Sequence, residues 1–358
     1  MARFELSGSK GDLLDALKHL YEAKNLSLTD HPRHAKIGSS LSSVLLKLCD
    51  FIPQSEESLH MTSRAFDLFE RAANHSFASV KARFQTAVEW AQEARHRNHQ
   101  STVHAYAKSL SLLVRCLVLA PTVESQQNFL AATKTVPKAL ALDAASSAID
   151  AGEIGNVVEF LEQGRALLWP KPRGYRHPLD DLRATDKKLA DQFEALSGQL
   201  ECLATSSESP STSLPGSNGV NITPVSFEAK MQQHRILSEE WDDIVGNIRQ
   251  IDGFADFLQS IPFASLQKGP VIIVNISSYR SDIIILRDAG DPVLVPLPET
   301  LPNVLNQLSS QFTKSRASDG KDSARQILPI LRSLWDNIAS PVRDQLVALG
   351  VPDKSRIC

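Results

Sequence analysis

His31 with His34, and His96 with His99 and nearby His104, fall at spacings that could set two imidazoles on one helical face, where they would ligate a metal ion or carry protons. No Glu or Cys completes a ligand set around either group, and polar helix ends commonly carry histidine, so helix termini are their expected place and no metal is assigned. The thiols are Cys49, Cys116, Cys202 and Cys358. They lie far apart, in no Cys-x-x-Cys or Cys/His spacing, which points to neither a zinc site nor a disulfide framework and fits a reducing compartment. A nucleophilic thiol needs an oriented base beside it, and Cys358, the final residue, is not assigned as catalytic. Gly320-Lys321-Asp322-Ser323 ends like a phosphate loop, but Ser315 stands where the upstream glycine is required, so a solvated linker is expected. Arg165, on a helical face shared with Val158 and Leu161, is expected to pair with Glu162 or to extend past the apolar face rather than to hold a ligand. No catalytic, cofactor-binding or metal-binding residue is therefore assigned, and no cofactor.

The elements around these residues are mostly helical. The 358 residues carry 38 Lys plus Arg against 41 Asp plus Glu, a formal charge of −3, so no long-range field favours a nucleic-acid partner. No segment reaches the ~20 apolar residues of a membrane helix. The first residues lack a long apolar core, so no secretory signal is read and a cytoplasmic location is expected. From residue 11 to 169, apolar residues recur at three and four spacing with short breaks at His31-Pro32, Phe51-Ile52-Pro53, Asn98-His99, Pro121 and Pro137. Such segments pair antiparallel with their neighbours and grow into an array of helical hairpins, here read as eight short helices. Ala141, Ala144, Ala145 and Ala148, followed by a turn at Asp150-Ala151-Gly152 and a return through Val157, Leu161 and Gly164, describe a small-residue helix pressed against a partner. Ala65, Phe69 and Ala72 repeat the returning signature. These offsets are those of degenerate tetratricopeptide-like repeats.

Pro170 to Tyr175 cannot continue a helix, and a second unit is expected over residues 178–251. Leu179, Leu182, Leu189, Phe193, Leu196, Leu200 and Leu203 make one apolar seam, read as a single helix of about 26 residues and about 39 Å. Leu237, Trp241, Ile244, Ile248 and Ile251 supply its antiparallel mate. Between them, 14 of the 22 residues in 204–225 are Ser, Thr, Pro or Gly, so a disordered loop is expected, with Asn221-Ile222-Thr223 a chance match to a glycosylation sequon. Beyond residue 253 the period changes. Val271 to Ile276, Asp282 to Leu286 and Val293 to Val295 read as three antiparallel strands, nearly continuous in apolar residues, so both faces of the sheet need cover. The helices available downstream are Leu301 to about Phe312 and Ala324 to about Leu349, the latter bent or broken at Pro341.

Leu161-Glu162-Gln163-Gly164-Arg165-Ala166-Leu167-Leu168-Trp169 resembles the segment closing the repeats of large fungal proteins with a CHAT domain. Gly253 to Leu258, Gly269 to Asp282, Ile327-Leu328 to Leu334-Trp335, and Pro341-Val342 are similar, in the same order, to the opening of that domain. The resemblance covers roughly residues 60 to 356. It implies tetratricopeptide-type repeats followed by a caspase-like α/β unit, and competent members are cysteine peptidases using a His and a Cys. No position here matches the His-Gly or Ser-Ala-Cys elements that hold that pair.

The expected architecture is therefore mainly α: a repeat array over residues 11–169, a long helical hairpin over 178–251, and the opening part of a CHAT-like caspase fold over 253–358. The expected role is a non-catalytic scaffold taking a protein or peptide on the array, with self-association through the sheet edge. The alternative is the regulatory portion of a caspase-like cysteine peptidase whose catalytic half is missing from this chain.

Overall fold

A computed structural model describes residues 2–52, 55–119, 139–168, 178–206, 227–255, 257–258, 271–287, 291–315 and 320–351. The architecture is mainly helical, with one small antiparallel sheet. The chain divides into two compact units, residues 1–137 with 167–259, and 138–166 with 260–358.

In the first unit, α1 (Ala2–Ser7) leads into α2 (Lys10–Leu26), α3 (Pro32–Cys49), α4 (Glu56–Asn74), α5 (Val80–His96) and α6 (Thr102–Leu119). The starts are written locally. Ser9, Ser55 and Ser79 accept backbone N–H groups of the first turns of α2, α4 and α5, and Pro32 opens α3, where its missing N–H costs nothing. Each helix packs on the next, and α3 also touches α5. Alternate helices therefore lie side by side in two layers. Ser39 of α3 donates to Glu89 of α5 at 3.1 Å, while Glu70 of α4 faces His104 of α6 at 3.4 Å. The inner side of α3 is buried from Gly38 to Leu48, with Leu41, Val44 and Leu46 fully enclosed. α3 and α5 start at residues 32 and 80, and α4 and α6 at 56 and 102, a longer period than the ~34 residues of a tetratricopeptide unit.

The same unit holds α9 (Pro178–Thr185), α10 (Lys187–Ser206) and α11 (Phe227–Arg249). The single helix expected over the leucine seam is two helices. Asp186 accepts the Leu189 N–H at 3.0 Å and starts α10 afresh, because an Asp side chain competes with the helical backbone and favours a cap. The seam itself forms: Leu179, Leu182, Ala190 and Phe193 pack on Trp241, Val245, Ile248 and Phe257, with Val114 of α6 against them. The tract 207–226, including the sequon at Asn221, lies outside the described residues.

In the second unit, β1 (Val271–Ile276), β2 (Ser281–Leu286) and β3 (Val293–Pro296) pair antiparallel in the order β1-β2-β3. Register places Val274 opposite Ile283 and Asn275 opposite Asp282. β2 is buried along its whole length, so both sheet faces are covered, as its unbroken apolar run requires. One face, through Ile283 and Ile285, packs on Leu301 of α12 (Leu301–Ser315) and on Val342 and Leu346 of α14 (Ser340–Ala348). Between these two helices, α13 (Gly320–Leu334) runs into a wide π-helical turn over Trp335–Ala339, which accommodates Pro341 without ending the rod. Pro329 sits inside α13, where the sequence reading marked no break. The other sheet face is covered by an upstream helix, which corrects the expectation that cover comes only from downstream. This helix is α7 (Leu140–Asp150), which packs on β1, and its Ala141 meets Gly164 of α8 (Ile154–Leu168). Burial of every residue from Ala144 to Ile149 fits a helix enclosed by the sheet and α8. The small-residue hairpin read as the end of the array thus belongs to the sheet's unit.

Candidate functional site

In the array, the layers of α3 with α5 and of α4 with α6 present long polar faces held by links between alternate helices. Arg97, just after α5, donates to the Leu46 carbonyl at 3.0 Å and to Asp50 at 2.9 Å, fastening the end of α5 to the end of α3. Phe66 of α4 stacks on His99 of the α5–α6 link at 4.1 Å. Arg83 of α5 donates to the Ala73 carbonyl at 3.0 Å. Burial, then the neighbouring Arg115, pushes its guanidinium down to about 10. Lys108 is held below its usual range by burial and by Arg83 and Arg115, with Glu70 acting in the opposite sense. The three half-buried cations concentrate positive potential on α5 and α6.

The histidines singled out by spacing take separate places. His31 caps α3 and His34 lies in its first turn. His96 ends α5 on the surface, His99 lies in the link, and His104 meets Trp90 edge-on at 5.4 Å. His75, which no local pattern marks, joins His31 and His34 from the end of α4. Among the described residues, no group of three or more His, Cys, Asp or Glu is arranged to hold a metal ion. Cys49 is half-buried with its sulfur at 3.8 Å from the Ser58 carbonyl, and Cys116 is buried in α6. Cys358 and the side chain of Arg165 lie outside the described residues. Gly320 to Ser323 form the first turn of α13, which corrects the linker reading. Gly164 faces Ala141, and Glu162 and Gln163 are half-buried in α8.

The second unit holds a buried polar cluster that sequence reasoning missed. Asn275 donates to Ser146 at 3.0 Å, and Ser277 to Asp143 at 2.8 Å. Arg280 grips Asp282 through Nε at 2.7 Å and Nη2 at 2.8 Å, and reaches Asp150 through Nη1 at 2.5 Å. Hydrogen bonding to Asp282 holds the Arg280 guanidinium above its usual range, fixed in the charged form. Asp143, Ser146 and Asp150 follow helical spacing and share one face of α7, a signal that would have been visible with the sheet beside it. No helix among the described residues is long and apolar enough to cross a membrane. Comparisons with family models, curated proteins and solved structures give no match to this chain.

Proposed function

We propose that the chain is a non-catalytic protein-interaction scaffold, with the helical array as the binding surface and residues 253–358 corresponding to the opening part of a CHAT domain. The observation that carries the reading is the two-layer packing of α2 to α6, in which α3 reaches past α4 to α5. Helices stacked in this way leave extended, pre-formed faces, the usual seat of peptides and partner helices. Lys108, half-buried beside Arg83 and Arg115, is the cation of that surface that an acidic segment would pair with. The outer strands β1 and β3 offer edges through which two copies would pair.

A displayed peptide library panned on the immobilised full chain is expected to enrich sequences rich in Asp and Glu. Lys108→Met is expected to weaken a peptide of that consensus about tenfold. No enrichment over a blank surface, or turnover of fluorogenic peptides by the pure chain, would overturn the proposal. A second reading, the regulatory portion of a caspase-like peptidase, is favoured by Leu328 (67% exposed), Leu331 (54%) and Trp335 (48%). They form an apolar stripe along α13 and into the π-helical turn after it, of the kind that a further layer covers.

A further inference from the structure

Three imidazoles converge where the link from α2 enters α3. The Nδ1 of His31 accepts the Arg33 backbone N–H at 3.0 Å and so caps α3. A ring nitrogen accepts only while it carries no proton, so this cap exists only for neutral His31. His75 reaches back from the end of α4 with Nε2 at 2.8 Å from the Thr29 carbonyl. A carbonyl can only accept, so Nε2 of His75 carries a proton, and in a neutral ring its Nδ1 is the bare nitrogen. Among the described residues that Nδ1 is buried without a hydrogen-bond partner, as is the Nδ1 of His34. The rings of His34 and His75 stack with centroids 6.3 Å apart.

We propose that His31 and His34 form an acid-operated release for the corner between α2 and α3: neutral, they hold the link onto the start of α3, and protonated, they let it go. Each added proton acts in the same sense. On His31 it abolishes the acceptor and sets a positive charge at the positive end of the α3 dipole. On His34, in the first turn of α3, the charge meets the same dipole. On His34 at Nδ1, the new N–H is buried with no acceptor among the described residues, beside the His75 ring.

The surrounding charges reinforce this. Burial, then Arg33 and His75, holds His31 below the ordinary imidazole range. Burial, His75 and Lys24 of α2 hold His34 down, outweighing the hydrogen bond to the Ser27 backbone and the attraction of Asp30. With both pKa values lowered on folding from 6.5, the unfolded corner binds more protons just below that pH. The stabilisation is complete above pH 6.5 and is lost as pH falls from there through the folded values.

Hydrogen exchange on the full chain, corrected for intrinsic chemistry, tests this. Protection of amides 27–34 is expected to fall about tenfold or more between pH 7 and pH 5.5 while that of 84–94 in α5 holds, because each proton bound only by the opened corner favours opening by up to about tenfold per pH unit. His31→Asp with His34→Gln is expected to flatten that dependence, because Asp caps, and neither new side chain titrates in this range. Should that variant not fold, the ring protons of the natural chain decide by nuclear magnetic resonance. Titration of His31 and His34 below 6.5 supports the device; titration at or above 6.5, or pH-invariant protection of 27–34, overturns it.

Discussion

The side-chain amide of Asn275 donates to the Ser146 hydroxyl at 3.0 Å, joining β1 to a helix that lies 129 residues earlier in the chain. Both residues are fully buried, and among the described residues the Asn275 carbonyl oxygen has no partner. The amide therefore depends on one hydrogen bond. Ser146→Ala removes it and is expected to destabilise the second unit by about 1–3 kcal/mol, because the amide is then buried with neither end paired. Ser146→Ala with Asn275→Val is expected to recover most of that loss, since a β-branched side chain suits a strand and carries nothing to desolvate. Exchange protection of amides 271–286 in the two variants measures the difference.

Arg280 poses a different dependence, because Asp282 is wholly enclosed and Asp150 is half-exposed. Arg280→Met leaves the Asp282 carboxylate buried without its cation and is expected to cost about 3–5 kcal/mol. Asp150→Asn removes a solvated partner and is expected to cost less than about 1 kcal/mol. Urea unfolding at neutral pH, read by protection of β2, ranks the two; equal effects would mean that the pair with Asp282 contributes no more than a surface contact.

The strands and most helices were legible because their signals are local. Val271 to Ile276 is β-branched nearly throughout, and Ser55 or Pro32 marks a helix start within a few residues of it. The break at Asp186 was visible as an interruption of the leucine seam but was read through, since seven apolar positions outweighed one cap. What the sequence hid is contact between distant segments. Ala141, Ala144, Ala145 and Ala148 announce close packing without saying against what, and only Asn275, Ser277 and Arg280 reveal a sheet as the partner. His75 escaped notice for the same reason: it meets His34 across the α3–α4 hairpin, where no periodicity joins them.

Gly164 tests how tightly α7 and α8 are pressed together. A Cβ placed there would overlap the Ala141 methyl, well inside van der Waals contact. Gly164→Ala gains helix propensity of about 1 kcal/mol but forces the helices apart, and a net loss of about 1–2 kcal/mol is expected. Ala141→Gly added to it should restore the close approach and recover stability. Thermal melting of the single and double variants checks the reciprocity, and an unrepaired double variant would locate the strain elsewhere.

His99 makes the α5–α6 link sensitive to acid by a route separate from the α2–α3 corner. Its Nδ1 lies 2.8 Å from the Ser101 hydroxyl and accepts the Ser101 N–H at 3.2 Å, while Ser101 receives the Trp90 indole N–H at 3.0 Å. This arrangement uses the bare nitrogen of a neutral ring. Burial lowers the His99 pKa from 6.5, with Asp67 pulling weakly upward. Because the folded value is depressed, the unfolded state binds more protons over the interval below 6.5. The ring's stabilisation is therefore whole above that pH and declines on acidification, by at most about 1.4 kcal/mol per pH unit. His99→Asn keeps an acceptor that does not titrate, so protection of amides 98–105 is expected to become flat with pH while amides 27–34 keep their dependence. A His99→Asn chain whose α5–α6 link still loosens in acid would show that this ring does not govern it.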